Sequence, residues 1–292
     1  MPYPDRDFLL YSPTAKRLFH EVADGLPIYD FHCHLPADEI ANDQRWSNLA
    51  ELWLGSDHYK WRLMRANGIN ERLVTGDAPA REKFQAWAET IPQTLRNPIH
   101  HWTHLELQRF FDIDLLLGPD TADEIWERAN EKLRAPDFSA CGLMKKSNVR
   151  LVGTTDDPVD PLDSHQAIAA SNLGIKVRPT FRPDKAFAVH QPTTFNDWID
   201  QLAAVTQTDI SRLDDLLAAL QQRHDDFHHA GARLSDHSFD ACPSQTCNAA
   251  EAAKIFEKAR LGQAADPVDR EKFCFYLLVF LGHLDAARGW TK

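Results

Sequence analysis

The 292-residue chain has few of the features that direct a protein to a membrane or to nucleic acid. Its longest apolar run, Phe273–Leu281, is far shorter than the roughly 18 residues that a membrane span needs. The formal net charge is -11, and the sequence contains no run of basic residues. We therefore expect no membrane and no nucleic-acid partner, although local arginines could still bind a small anion.

Cysteine is also scarce, and its distribution argues against a secreted, disulfide-bonded protein. The five cysteines are odd in number and scattered along the chain, unlike a disulfide framework. The N-terminus has no basic segment followed by an apolar core, so we expect no signal peptide. A reducing compartment fits this pattern, and we predict a cytoplasmic location.

The sequence lacks a phosphate-binding glycine loop, a G-x-S-x-G elbow and an H-E-x-x-H helix, but it contains an apolar run that ends in two histidines. If Tyr29–Pro36 contains a strand, alternation places Asp30, His32 and His34 on one face. Both imidazoles could then bind one divalent metal ion such as zinc. A chain with 14 histidines contains about one pair of histidines at this spacing by chance. The alternative interpretation is therefore that the two histidines are only polar residues at a strand end.

Strand and helix signals alternate along the remainder of the chain. We predict three regions: residues 1–36 with a helix and the first strand, a helical insertion over 37–146, and further strands and helices over 147–292. The later strands are expected at 149–153, 175–181 and 232–237. Helices are expected at 14–24, 161–172, 195–206, 210–230, 249–261 and 267–287, and within the insertion after caps at Ser47, Asp57, Asn97 and Ser139. The class is α/β, with four strand and helix pairs, half of those in a (β/α)8 barrel.

Five segments in order along the chain form a further pattern: Tyr29–Leu35, Asp57–Gly68, Val152–Pro158, Pro179–Asp184 and Leu234–His237. Together they resemble the uronate isomerase family of the amidohydrolase superfamily. The resemblance implies a metal-dependent-hydrolase-like TIM barrel, here with its N-terminal half and a large helical insertion. It also implies a divalent metal, expected to be zinc, and an aldose to ketose isomerisation in hexuronate catabolism. The substrates would be D-glucuronate, giving D-fructuronate, and D-galacturonate, giving D-tagaturonate. A homo-oligomer is left open.

The resemblance also assigns roles to individual residues. His32 and His34 would be metal ligands. His58 and Tyr59 would contact the substrate near the carbons that exchange a proton, Arg182 would bind the sugar carboxylate, and Asp236 would lie in the active site. These residue types suit the chemistry, since isomerisation needs a base, an acid and stabilisation of enediolate oxygens. An arginine matches a carboxylate with two parallel hydrogen bonds.

Two departures from the family pattern limit what we expect of this chain. Ser238 and Phe239 stand where the family usually has a glycine and an aliphatic residue. The family also extends well beyond a tryptophan and threonine pair like Trp290-Thr291, to a late strand whose aspartate completes the metal site. We therefore expect a truncated chain that is inactive or nearly so unless a partner supplies the rest.

Other interpretations stay open at this stage. The chain could be a metal-dependent hydrolase of the same superfamily, or a non-catalytic remnant that binds a uronate. Asp156 and Asp157 end a predicted strand, where an active-site carboxylate could lie, yet Asp-Asp-Pro is also an ordinary turn. His224 is interpreted as a surface or core residue.

Overall fold

The computed structural model describes residues 3–239 and 241–292. The chain divides into two compact units. The first, called the helical unit, contains the chain up to Ile28 together with Asp43–Val149. The second, called the sheet unit, contains Tyr29–Asn42 and Arg150–Lys292. Within the described ranges, no helix combines the length and the apolar character that a bilayer crossing requires.

The described chain combines one small sheet of three short strands with many helices, which confirms the α/β class. A π-helical turn over Phe19–Ala23 continues the first helix, and 3-10 helices cover Ile91–Thr94 and Asp184–Phe187. In chain order the other elements are α1 (Pro13–Leu18), β1 (Ile28–Cys33), α2 (Ala37–Ala41), α3 (Leu49–Leu54), α4 (His58–Ala66), α5 (Glu71–Val74), α6 (Ala80–Thr90), α7 (Pro98–Phe111), α8 (Ala122–Leu133), α9 (Ala140–Lys146), β2 (Val149–Thr154), α10 (Asp163–Ala170), β3 (Lys176–Arg178), α11 (Pro192–Thr206), α12 (Leu213–His229), α13 (Ala249–Arg260) and α14 (Pro267–Arg288).

Side-chain caps define where the helices of the helical unit begin. The predicted caps at Asp57, Asn97 and Ser139 are confirmed, because each side chain accepts a hydrogen bond from a backbone N–H in the first turn. The predicted cap at Ser47 is wrong. Asn48 caps α3 instead, accepting from the N–H of Glu51 at 2.9 Å.

The helical unit has its own apolar core, which explains why it forms a compact unit. Its largest side chains are completely removed from solvent, and each contributes roughly 1.5–3 kcal/mol relative to exposure. They include Phe84, Trp87, Met64, Leu49 and Ile91.

The sheet unit is built on three strands in the order β1-β2-β3. Strands β2 and β3 are parallel, with Val152 opposite Val177 and Gly153 opposite Arg178. The predicted strand at 149–153 is confirmed, while the predicted strand at 175–181 shortens to β3. Pro179 explains the early end, because proline has no N–H for a ladder hydrogen bond.

The predicted fourth strand at 232–237 is wrong as a regular strand. Only isolated parallel bridges occur there, between Phe181 and Ser235 and between Leu234 and Thr291. The N–H of Phe181 donates to the carbonyl of Leu234, and the N–H of Asp236 donates to the carbonyl of Phe181, both at 3.2 Å. This pairing is too short to form a strand, yet it aligns the segment with the extension of β3.

Helices α11 to α14 supply most of the sheet unit's core. Their largest buried side chains are aromatic and contact one another edge to face, as Phe195 does with Phe256 and Phe273. Trp198 is also buried, and its indole N–H donates to the carboxylate of Asp157 at 2.7 Å. This hydrogen bond joins α11 to the turn that follows β2.

The spacing between β1 and β2 depends on Gly153, and this can be tested. A Cβ at Gly153 would lie 2.9 Å from the carbonyl oxygen of Phe31, a backbone atom that cannot move alone. We expect Gly153→Ala to lower the free energy of unfolding by about 1–3 kcal/mol, measured by urea denaturation. Gly282→Ala is the matched control, since a Cβ there meets nothing closer than 4.0 Å inside α14. It should raise stability by about 0.5–1 kcal/mol, and equal effects of the two changes would contradict the interpretation.

Candidate active site

Two histidine rings meet at the carboxyl end of β1. His32 lies on β1 and His34 just beyond it, so the alternation of the strand directs both side chains to the same side. The Nε2 atoms are 3.0 Å apart, and the ring centroids are 4.8 Å apart. Two ligands bound about 2.0–2.1 Å from one zinc ion lie at a separation close to this.

Asp236 fixes the orientation of the first histidine. Its Oδ2 atom is 2.5 Å from Nδ1 of His32. With Nδ1 donating to the carboxylate, the neutral ring has its lone pair on Nε2, the atom that faces His34. Histidines that bind metals commonly donate their second nitrogen to a carboxylate in this way.

Arg182 lies between two carboxylates. Its Nε atom is 3.2 Å from Oδ2 of Asp184 and 3.3 Å from Oδ1 of Asp236. Burial raises the pKa of Asp184, while the hydrogen bond from the backbone of Ser238 and the charge of Arg182 oppose that shift. We call His32, His34, Arg182, Asp184 and Asp236 the polar cluster.

The backbone of Asp156 fixes the position of the segment that carries Arg182. The N–H of Arg182 donates to the carbonyl of Asp156 at 2.9 Å, and the N–H of Asp156 donates to the carbonyl of Thr180 at 3.2 Å. The buried carboxylate of Asp156 accepts from Thr154 Oγ1 and from the N–H of Thr180. Asp156 is therefore a buried, hydrogen-bonded residue at the ends of β2 and β3 rather than part of an exposed turn, and an active-site role for it stays a prediction.

His58 and Tyr59 belong to the helical unit, at the first turn of α4. Both side chains are exposed, and their rings lie 4.3 Å apart at an interplanar angle of 32°. The guanidinium of Arg62 lies 5.4 Å from the centroid of the Tyr59 ring. The four other predicted site residues, by contrast, meet within the sheet unit. The roles of His58 and Tyr59 stay predictions.

A buried network supports the segment before Asp236. Asp285, on α14, is 3% exposed and accepts a hydrogen bond from Ser235 Oγ at 2.8 Å. The other oxygen of Asp285 lies 3.0 Å from Nε2 of His224, whose ring stacks on Trp290 at 3.9 Å. Lys292 also pairs with Asp285, at 2.8 Å. His224 is therefore buried and hydrogen-bonded, which confirms its interpretation as a core residue rather than a surface residue.

Asp184 and Asp285 were not among the predicted site residues. Asp184 had a weak signal, because an acid two positions after an arginine can orient its guanidinium. Asp285 had none, since it lies on an ordinary helical pattern.

Two of the side chains present could supply ligands to a divalent metal ion. Two imidazole nitrogens converge, and His32 has a carboxylate on its other nitrogen. Within residues 3–239 and 241–292, no group of three or more His, Cys, Asp or Glu side chains is arranged to hold a metal ion. The described donors thus fit two positions of a divalent ion, where catalytic zinc normally has three protein ligands.

Comparisons with known proteins identify the family of the chain. A model of the UxaC family, described as glucuronate isomerase, matches residues 1–292. The chain is 51% identical over 292 residues to the uronate isomerase of Solibacter usitatus and 47% identical over 291 residues to that of Opitutus terrae. All of this chain is covered in both, but it spans only 62% and 61% of those relatives' lengths.

Solved structures resemble the whole fold. The crystal structure of a uronate isomerase from Thermotoga maritima matches with a TM-score of 0.93 at 32% identity, covering 100% of this chain and 64% of that one. The glucuronate isomerase from Caulobacter crescentus matches with a TM-score of 0.88 at 22% identity, covering 96% of this chain and 60% of that one. The second likeness concerns the fold alone.

The Asp285 network should make stability depend on acid pH. Burial by itself would raise the pKa of Asp285, but the hydrogen bonds from His224, Lys292 and Ser235 outweigh it and lower the pKa. The unfolded chain then binds the proton more readily. The contribution is complete above about pH 4 and is lost as pH falls through the lowered pKa of the folded state.

We expect Asp285→Asn to reduce the free energy of unfolding by about 3 kcal/mol at pH 7, in urea denaturation, because it removes one partner of a buried ion pair. Its deficit relative to wild type should shrink as the pH falls below 4. Asp209→Asn, at an exposed position of the same unit, is the control for loss of one negative charge. A deficit that is constant with pH would contradict the network's assigned role.

Proposed function

Because the chain belongs to the UxaC glucuronate isomerase family, we propose that it carries the site for aldose to ketose isomerisation of hexuronates. Its substrates would be D-glucuronate, converted to D-fructuronate, and D-galacturonate, converted to D-tagaturonate. The observation that supports this most strongly is the polar cluster, where Asp236 contacts both the guanidinium of Arg182 and His32, one member of a histidine pair. The enzyme class would be an intramolecular oxidoreductase.

Arg182 would bind the carboxylate that distinguishes a uronate from a neutral sugar. A guanidinium group forms two parallel hydrogen bonds with a carboxylate, and this pairing explains how an acidic protein could hold an anionic substrate. Asp236 would act within the site by keeping His32 in the tautomer whose Nε2 lone pair faces His34.

His32 and His34 would hold a divalent metal, with zinc as the expected ion. When bound, the metal would act as a Lewis acid toward the sugar oxygens on which negative charge develops. His58 and Tyr59 would contact the substrate near the two carbons that exchange a proton. A histidine suits that task, because its ordinary pKa lies near the working pH.

We infer that the three strands are part of a metal-dependent-hydrolase-like (β/α)8 barrel. Parallel pairing of β2 with β3, and the bridges that continue through Ser235 to Thr291, support this arrangement. We also propose a cytoplasmic location, because five cysteines that are odd in number and scattered along the chain are typical of a reducing compartment.

Metal uptake provides the first test. The chain is purified in zinc-containing buffer, dialysed, and analysed for zinc by atomic absorption. We expect the double variant His32→Ala, His34→Ala to lose the bound zinc, because it lacks both converging nitrogens. His190→Ala, outside the polar cluster, is the control and should keep the zinc content of wild type. Normal zinc in the double variant would contradict the metal assignment.

Turnover provides the second test. Ketose formation from D-glucuronate is followed for the zinc-supplied chain, for the double histidine variant and for Arg182→Ala. We expect at most slow turnover from this chain, and it should require both histidines. Its rate should be well below that of the Solibacter usitatus uronate isomerase assayed in parallel, since two rather than three metal ligands are described. Arg182→Ala should raise KM by about tenfold to a hundredfold, because it loses a bidentate charged contact.

The outcomes distinguish the candidate functions. D-glucuronate binding without turnover in the folded chain would favour a non-catalytic uronate-binding protein. If the folded chain shows neither D-glucuronate binding nor turnover, the isomerase proposal and the uronate-binding alternative are both contradicted. Uptake of water into the product would instead indicate a hydrolase of the same superfamily.

A further inference from the structure

The two carboxylates beside Arg182 do not contact it in the same way. The Nε–H of Arg182 meets hydrogen-bond geometry toward Oδ2 of Asp184, at 3.2 Å. Oδ1 of Asp236 lies 3.3 Å from the same nitrogen but accepts no hydrogen bond from a described residue. Asp184 therefore sets the direction of the guanidinium plane, and Asp236 contributes charge.

The other side-chain donors of Arg182 are its two Nη groups, which take no part in the hydrogen bond from Nε to Asp184. A guanidinium group has five N–H donors in a fixed fork, and engaging Nε leaves the two Nη groups as a pair. In the described part of the chain, neither Nη group of Arg182 donates a hydrogen bond to another residue. This pair of Nη groups is the edge that a carboxylate binds with two parallel bonds.

Asp184 is itself held by a second segment of the chain. Both of its oxygens accept from the N–H of Ser238, at 3.0 and 3.1 Å. Asp184 also begins the 3-10 helix that ends at Phe187. Nδ1 of His237 lies 4.0 Å from Oδ1 of Asp184. The carboxylate thus joins the segment carrying Arg182 to the segment just after Asp236.

We propose that Asp184 is a positioning residue, which orients Arg182 so that its Nη edge is preorganised for a carboxylate ligand. An arginine held in advance loses less rotamer freedom when the ligand binds, so affinity rises without a further contact. The identity of that ligand as a hexuronate rests on the proposed function. The orientation of Arg182 does not.

The orientation can be measured directly by NMR of the 15N-labelled chain. The Nε–H signal of Arg182 is assigned by its disappearance in Arg182→Lys, and its exchange with water is then compared among variants. We expect slow exchange in wild type and in the exposed-acid control Asp209→Asn. Exchange should become fast in Asp184→Ala, together with that of the Ser238 amide. Asp184→Asn should fall between them, because its amide oxygen still accepts one hydrogen bond.

Calorimetric binding of D-glucuronate to the zinc-supplied chain is the second measurement. We expect Asp184→Ala to weaken affinity about tenfold and Asp184→Asn about threefold, relative to wild type and Asp209→Asn. Backbone amide spectra verify that each variant is folded. If Asp184→Ala alone fails to fold, Asp184→Asn provides the comparison.

Each result bears on one of the two proposals. Slow Nε–H exchange that persists without the Asp184 carboxylate would overturn the positioning role. Fast exchange with unchanged D-glucuronate affinity would overturn it too, provided that Arg182→Ala abolishes binding. If wild type shows Asp184-dependent protection but does not bind D-glucuronate, the positioning role stands and the proposed substrate is wrong.

Discussion

The backbone of Phe181 joins three separate segments, and the placement of the polar cluster depends on it. Phe181 is bridged to Asp156 on one side and to Ser235 on the other. Its ring is 1% exposed and packs edge to face against Phe227. Arg182 follows Phe181 and Asp236 follows Ser235, so the bridge between Phe181 and Ser235 brings an arginine and a carboxylate into contact. No regular strand is needed at that point, only two aligned backbone positions.

The histidine pair was predictable from the sequence because its geometry is local. Alternation along β1 places His32 and His34 together whatever the rest of the chain does. Arg182 and Asp236 were proposed from a family resemblance, since no local pattern distinguishes them from solvated turn residues. Their contact is a product of the bridges at Phe181, which sequence patterns near either residue do not encode.

Asp184 and Asp285 were missed for a related physical reason. Asp184 binds an amide 54 positions away, and Asp285 binds side chains 61 and 50 positions away. The residues next to Asp184 and Asp285 in the sequence do not indicate whether each carboxylate binds these distant partners or water. The strand predictions were inaccurate for a similar reason. Residues 175–181 and 232–237 both have strand-like composition, yet only three residues of the first segment form a regular strand. Composition reports a preference for extension, whereas a ladder requires a partner with available N–H groups.

Charge explains why the parts of the polar cluster depend on one another. The guanidinium of Arg182 contributes one positive charge, and Asp184 and Asp236 contribute two negative charges, which leaves a net charge of -1 with neutral histidines. An isolated cluster of this charge, in a chain of net charge -11, would repel a uronate. A divalent ion at the histidine pair would reverse the sign to +1. If the proposed metal and the proposed anion both bind, their affinities should therefore be coupled, because the Asp236 carboxylate contacts both Arg182 and His32.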